Sequence, residues 1–201
     1  MTGDNHIVSE SRAYVERLLR EKLAPWVSYH DFRHTEETAE ACLEIAEACG
    51  LSPSEMEIVL LAGWFHDTGY TETAKGHEQR SAAITQEFLK GRHYPPEKLR
   101  SVTRCIMATT VPQQPKNLLE RVVCDADMLY IGREEFFHKN DLLKAEMEAR
   151  EGTVIDPAVW LRRSLRFLED QAYHTDYCRG KLSAGLEKNI TTLRKQLEAS
   201  A

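Results

Sequence analysis

Apolar residues recur along this chain at spacings of three and four almost throughout, and no convincing alternating run marks a strand. From Ser9 to Leu23, residues Tyr14, Leu18 and Leu19 are spaced for one face of a first amphipathic helix. Thr35 is placed to cap a second helix, in which Cys42, Ile45, Ala46 and Cys49 recur until Gly50 stops it. Ser52-Pro53-Ser54-Glu55 is a capping-box start with proline at the first helical position. The third helix then runs through Ile58, Val59, Leu60, Leu61, Trp64 and Phe65. It is apolar on all sides, which predicts a central, buried helix.

Gly76 to Leu89 reads as a fourth helix, with Ser81, Ile84, Thr85 and Phe88 on one side. Pro95-Pro96 opens a fifth that ends near Thr109, and Val111 to Pro115 is a loop. Asn117 through Glu120 is another capping-box start, leading into Val122 to Asp127. Later helices are expected from about Arg133 to Arg150, from Pro157 to about Ala172, and through the charged tail from about Asp176. The expectation is one compact all-α domain, a helical bundle. Residues 1–24 would be an N-terminal helix packing on the core, 25–132 the core itself, and 133–201 the C-terminal helices completing the same domain.

With 201 residues, 42% of them hydrophobic and 29% charged, the chain can bury a core and has the composition of a soluble globular protein. A net charge of -6 gives no reason to expect binding to polymeric nucleic acid or an acidic membrane. No apolar stretch approaches a membrane span, and Met1 to His6 lacks a basic-then-apolar signal pattern. The five cysteines form no CxxC pair, which makes a structural zinc site unexpected. A cytoplasmic, reduced protein is the expectation.

The chemistry begins at His66-Asp67, where an apolar run suddenly carries an imidazole beside a carboxylate. Burying both unpaired would be costly, so a metal or a mutual hydrogen bond must compensate them. His30 and His34, four residues apart, share a face on a helical turn, so one could bind a metal while the other stands beside the reacting group. Asp125 and Asp127 sit among Val122, Val123, Ala126 and Leu129, and only one of these acids need touch metal. Any one of these residues alone reads more readily as a satisfied core group or a surface histidine. Together, His34, His66, Asp67 and Asp127 suit a divalent cation with open coordination positions. Arg33, Lys75 and Arg80 flank them and could hold phosphate oxygens, or be ordinary surface charges. Glu72 could orient the attacking water, or be simply a loop acid.

The order His34, His66-Asp67, Asp127 resembles the HD superfamily of metal-dependent phosphohydrolases over roughly Tyr29 to Gly132. Cys124 to Leu129 is similar to the family's DAD-x-L segment, which implies Asp127 as the ligand and Asp125 as its neighbouring acid. Tyr29-His30-Asp31-Phe32-Arg33-His34 resembles the YHNxxH segment of cyclic-nucleotide phosphodiesterases in that superfamily, with Asp31 departing from the asparagine. That likeness implies His30 as general acid and His34 as ligand. Gly76 to Ala82 resembles the segment that gives binuclear HD enzymes an extra histidine, here His77. Their next histidine would fall near Thr109, where this chain has none, leaving His77 for substrate phosphate or a weak second ion.

The resemblance implies a phosphohydrolase acting on a nucleotide or related small phosphate ester, whether a monoester or a cyclic diester. One divalent ion is expected, manganese or iron by preference, although cobalt, nickel, zinc and magnesium also fit the mixed nitrogen and oxygen set. Asp67 or Asp127 could take up a proton and His30 could deliver one to the leaving group. Two other classes stay open: a nucleotide-sensing or scaffold module that keeps the metal site without turnover, and a helical interaction protein with no metal. Small-molecule recognition without a membrane is expected, and the late helices could form a homodimer interface.

Overall fold

Nine α-helices and two 3-10 turns make up the regular structure of the described residues, 4–199 of the computed structural model, with no strand among them. Residues 1–3, part of the Met1 to His6 stretch considered above for a signal pattern, lie outside the described residues. The chain divides into two compact units, one of residues 1–24 and 30–127, the other of residues 25–29 and 128–201.

The first unit contains α1 (Asp4–Lys22), α2 (Phe32–Ala48), α3 (Pro53–Phe65), α4 (His77–Lys90), α5 (Pro96–Ala108) and α6 (Leu118–Asp127). Its middle is α3, which packs against α1, α2, α5 and α6. Ile58, Val59, Leu61, Ala62 and Phe65 are all buried, as an all-round apolar helix requires. The Glu55 carboxylate accepts the Ser52 N–H at 2.9 Å and the Ser52 hydroxyl at 2.6 Å, closing the capping box. Gly63 sets the approach of α2: a Cβ there would stand 3.0 Å from Cys42 Sγ and 3.1 Å from Ala39 Cα. Charged side chains enter this core as well, Glu57, Glu120 and Asp125 among them. Glu57 is buried and accepts from Tyr94 Oη at 2.7 Å and Lys98 Nζ at 3.0 Å.

Several boundaries differ from the sequence-based expectation. The cap of α2 is Asp31, not Thr35: its carboxylate accepts the His34 N–H at 3.0 Å, while Thr35 is already inside the helix and donates to the Asp31 carbonyl. A carboxylate at the positive helix end satisfies the orphan N–H groups and complements the dipole, so the helix starts a turn early. α1 begins by Asp4, ahead of Ser9. α3 stops at Phe65, so His66 and Asp67 lie just past it, followed by a 3-10 turn at Thr68–Thr71.

The second unit holds a 3-10 turn at Leu129–Gly132, α7 (Phe136–Glu151), α8 (Pro157–Glu169) and α9 (Asp176–Ala199). The 3-10 turn takes up Arg133 as its cap, which is why α7 starts later than expected. Buried Glu146 on α7 accepts the backbone N–H groups of Ser28 at 3.0 Å and Tyr29 at 2.8 Å. Buried Asn189 on α9 donates to the carbonyls of Ile131 at 2.9 Å and Arg133 at 3.0 Å. Cys42, Cys105, Cys124 and Cys178 are buried thiols, with Cys49 half-buried and no disulfide among the described residues. No described helix is long and apolar enough to cross a membrane.

Candidate metal centre

Three helix ends in the first unit converge on one point. His34 comes from the first turn of α2, His66 and Asp67 from the exit of α3, and Asp127 from the last residue of α6. The Gly63 contact brings α2 and α3 close enough for the two imidazoles to meet, with His34 Nε2 3.3 Å from His66 Nε2. Asp67 Oδ2 lies 3.3 Å from His34 Nε2 and 3.1 Å from His66 Nε2. Asp127 Oδ1 lies 3.4 Å and 3.6 Å from the same two nitrogens. His34, His66 and Asp67 are buried, and Asp127 is nearly so.

This donor set fits a divalent cation. Ligand atoms that each stand about 2.0–2.2 Å from a common ion lie roughly 3–3.6 Å from one another, which is the spacing found here. His34, His66 and Asp127 each offer an atom within 4.8 Å of the others, and Asp67 joins by facing both nitrogens. His66 Nδ1 donates to the Gly63 carbonyl at 2.8 Å, which fixes the ring and leaves Nε2 as the coordinating atom of the neutral tautomer. The carbonyl end of α3 adds partial negative charge at the same place.

The electrostatics of the cluster reflect the same closeness. Burial opposes the charged form of His34, yet hydrogen bonds with Asp127 and Asp67 outweigh it and raise its pKa. Burial opposes charge on His66 as well, but the Asp67 carboxylate and bonds to both acids raise it well above the ordinary value. Burial alone would push Asp127 up, but His34 and His66 pull it down to about 2. Asp67 is held well below the carboxylate range against its burial, chiefly by the His66 charge.

The remaining candidates divide into those at the centre and those paired beside it. His77 opens α4 and places Nε2 3.3 Å from Asp67 Oδ1, while its Nδ1 bonds the Ala74 carbonyl at 3.0 Å. Burial lowers its pKa, but the Asp67 bond and charge raise it further, so the net shift is upward. The His30 ring lies 5.9 Å from that of His34 and 6.2 Å from that of His77. Glu72 and Arg80 are brought onto each other: Arg80 Nε donates at 2.6 Å and Nη2 at 2.5 Å to the two carboxylate oxygens. Exposed Arg33 donates to Glu37 at 3.0 Å, and Lys75 is exposed in the loop before α4. Thr109 is buried and donates its hydroxyl to the Ile106 carbonyl at 2.8 Å.

Sequence reasoning missed two residues that shape this site. Tyr70 lies with its ring 3.9 Å from that of His30 and 4.2 Å from that of His77. Ser81, fully buried on α4, accepts the Gly69 N–H at 2.8 Å. The one advance signal for Tyr70 was an aromatic three residues past Asp67. Ser81 gave none beyond its helical face.

A model of the HD domain matches residues 31–130, about half of the chain and all four converging side chains. The chain is an HD-domain protein. Such domains hold divalent metals, and His34, His66 and Asp127 are the residues that could do so here. No curated protein matches its sequence significantly. Solved structures show the same fold at low identity. A predicted HD superfamily hydrolase from an uncultured Thermotogales bacterium aligns with TM-score 0.59 and 17% identity over 94% of this chain and 92% of its own. YpgQ of Bacillus subtilis, solved in complex with ADP, aligns with TM-score 0.65 and 18% identity over 96% and 97%. A Lactobacillus plantarum protein aligns with TM-score 0.65 and 15% identity over 94% and 98%.

Proposed function

We propose that this HD-domain protein is a metal-dependent phosphohydrolase acting on a nucleotide or related small phosphate ester. The observation that carries it is the convergence of His34, His66, Asp67 and Asp127 from three helices. Two imidazoles and two carboxylates leave coordination positions open, as a hydrolytic site requires. The ADP complex of structurally similar YpgQ supports a nucleotide as the class to try first. A net charge of -6 favours a small ligand over a polyanion.

A divalent ion, manganese or iron in the first instance, would supply a Lewis acid toward the phosphoryl oxygens and lower the pKa of a water. His34, His66, Asp67 and Asp127 would hold it. His77, with Nδ1 on the Ala74 carbonyl and Nε2 on Asp67, orients that carboxylate, and it reaches phosphate oxygens only by exchanging Asp67 for the ligand. His30, beyond His34, delivers a proton to the leaving oxygen. Arg80 and Arg33 reach phosphate by exchanging Glu72 and Glu37 for the ligand, which favours anionic substrates able to outcompete a surface carboxylate.

A second reading, a nucleotide sensor that keeps the metal without turnover, draws on Thr109, whose buried hydroxyl is already committed to the Ile106 carbonyl. The deciding experiment measures phosphate release from nucleoside mono-, di- and triphosphates and cyclic nucleotides, the last with a coupled phosphatase. Manganese-loaded protein and an Asp67→Ala variant are compared. Metal-dependent release that disappears in the variant supports the hydrolase. Retained metal and ADP binding with no release from any ester refutes it in favour of the sensor.

A further inference from the structure

The aromatic contact beside the metal centre has the form of a platform. Tyr70 lies nearly parallel to His30, with ring centroids 3.9 Å apart and planes 14° apart, and it also touches the His77 ring at 4.2 Å. The turn that carries Tyr70 is pinned on several sides. The Tyr70 N–H donates to the Asp67 carbonyl at 3.0 Å, the Gly69 N–H to Ser81 Oγ at 2.8 Å, and Thr71 Oγ1 to the Thr68 carbonyl at 2.8 Å. Gly69 itself rests on the His77 backbone with no room for a side chain. The backbone that carries Tyr70 is therefore held in the same short segment as Asp67.

His30 lies on less regular backbone. It precedes α2, outside the helix, on a stretch of bends and turns. An imidazole there has two side-chain torsions to fix before it can point at a leaving group. A flat ring against its face removes that freedom in advance, and pre-paid orientation of this kind is worth a large share of an intramolecular proton transfer.

We propose that Tyr70 is a positioning residue that fixes the imidazole plane of His30 beside the metal centre, in contact with His77. The role rests on the hydrolase reading above and on His30 as proton donor. The feature under test is the stacked ring.

Two measurements test it. In a double-mutant cycle on phosphate release by the metal-loaded protein, Tyr70→Ala lowers kcat about 10- to 100-fold with KM and bound metal unchanged, because loss of orientation costs on that scale. Tyr70→Phe stays within about threefold of wild type, and Tyr70→Ala made on a His30→Ala background adds less than about threefold, since its partner is gone. Effects that multiply fully in the double variant overturn the proposal. The second measurement needs no turnover: ring-proton NMR of the zinc-loaded protein, with His30 assigned by its loss in His30→Ala. Stacking on Tyr70 shifts the His30 signals upfield in wild type and Tyr70→Phe, and Tyr70→Ala returns them toward ordinary positions. Unmoved His30 signals in Tyr70→Ala overturn the proposal. A wild-type protein that releases phosphate from no ester removes the hydrolase reading, while the NMR result still decides whether Tyr70 sets His30.

Discussion

The glycine that follows Asp67-Thr68 offers the sharpest test of how the site is built. A Cβ on Gly69 would stand 2.8 Å from the carbonyl carbon of His77 and 3.0 Å from its Cα, closer than real Cβ atoms come to backbone. The obstacle is main chain at the start of α4, so no side-chain rotation relieves it. Gly69→Ala must push the 3-10 turn from α4, stretching the Gly69 N–H to Ser81 Oγ bond of 2.8 Å inside a fully buried pocket. Overpacking of this kind costs about 1–3 kcal/mol, and a buried donor left short of its acceptor adds about 1 kcal/mol or more. The expected loss is about 2–4 kcal/mol. For a chain of this size that lowers the thermal midpoint by roughly 4–16 °C. The assay is thermal unfolding followed by circular dichroism, with Gly180→Ala as a control. Gly180 is helical, exposed and has nothing within 4 Å of an added Cβ, so that variant should gain up to about 1 kcal/mol from helix propensity. If Gly69→Ala unfolds within about 0.5 kcal/mol of wild type, α4 does not buttress the metal-site turn as argued.

Metal removal should have a pH signature. The pKa values of His34 and His66 are raised on folding, so their contribution to the metal-free protein is full below the ordinary imidazole pKa and fades as pH rises through the raised values. Asp67 and Asp127 are lowered, so theirs is present above the ordinary carboxylate pKa and fades as pH falls through the lowered values, about 2 for Asp127. The chelated protein should therefore lose stability as pH rises above the ordinary imidazole pKa of about 6.5 while the metal-loaded protein does not, and equal pH profiles in thermal scans would count against a shared proton and metal site. Burial pushes the Cys105 thiol up to about 12 and Cys42 well above its ordinary value, so native alkylation near pH 8, read by mass spectrometry, should label half-buried Cys49 first and spare those two. Glu146→Ala leaves the Ser28 and Tyr29 N–H groups without their charged acceptor and should cost about 2–4 kcal/mol in urea unfolding. A loss under about 0.5 kcal/mol would show that the loop finds other partners.

Much of the helix plan was legible because helical burial is periodic and capping is local. Pro53 with Ser52 and Glu55, and the all-apolar run to Phe65, named α3 and its central place without any knowledge of its neighbours. Asp31 was harder: both it and Thr35 are competent caps, and the choice fell to the one whose carboxylate reaches the His34 N–H. The donor set could be listed because acids and imidazoles in apolar surroundings demand partners. Glu72 and Arg80 show the limit. Their chemistry fitted water and phosphate, but eight residues of chain brought them face to face, and that pairing depends on how the turn at Thr68–Thr71 meets α4.

By itself, then, the sequence determined the helical class, the buried rank of α3 and the residue types available for metal chemistry, since spacing and burial cost are properties of the chain. Only the tertiary structure decided which of them meet. Gly63 sets how closely α2 approaches α3, and so the 3.3 Å between the nitrogens of His34 and His66. The contact of Gly69 with the His77 backbone seats Tyr70 against His30 and His77. Both depend on the absence of a side chain, felt only when a second element comes within van der Waals range.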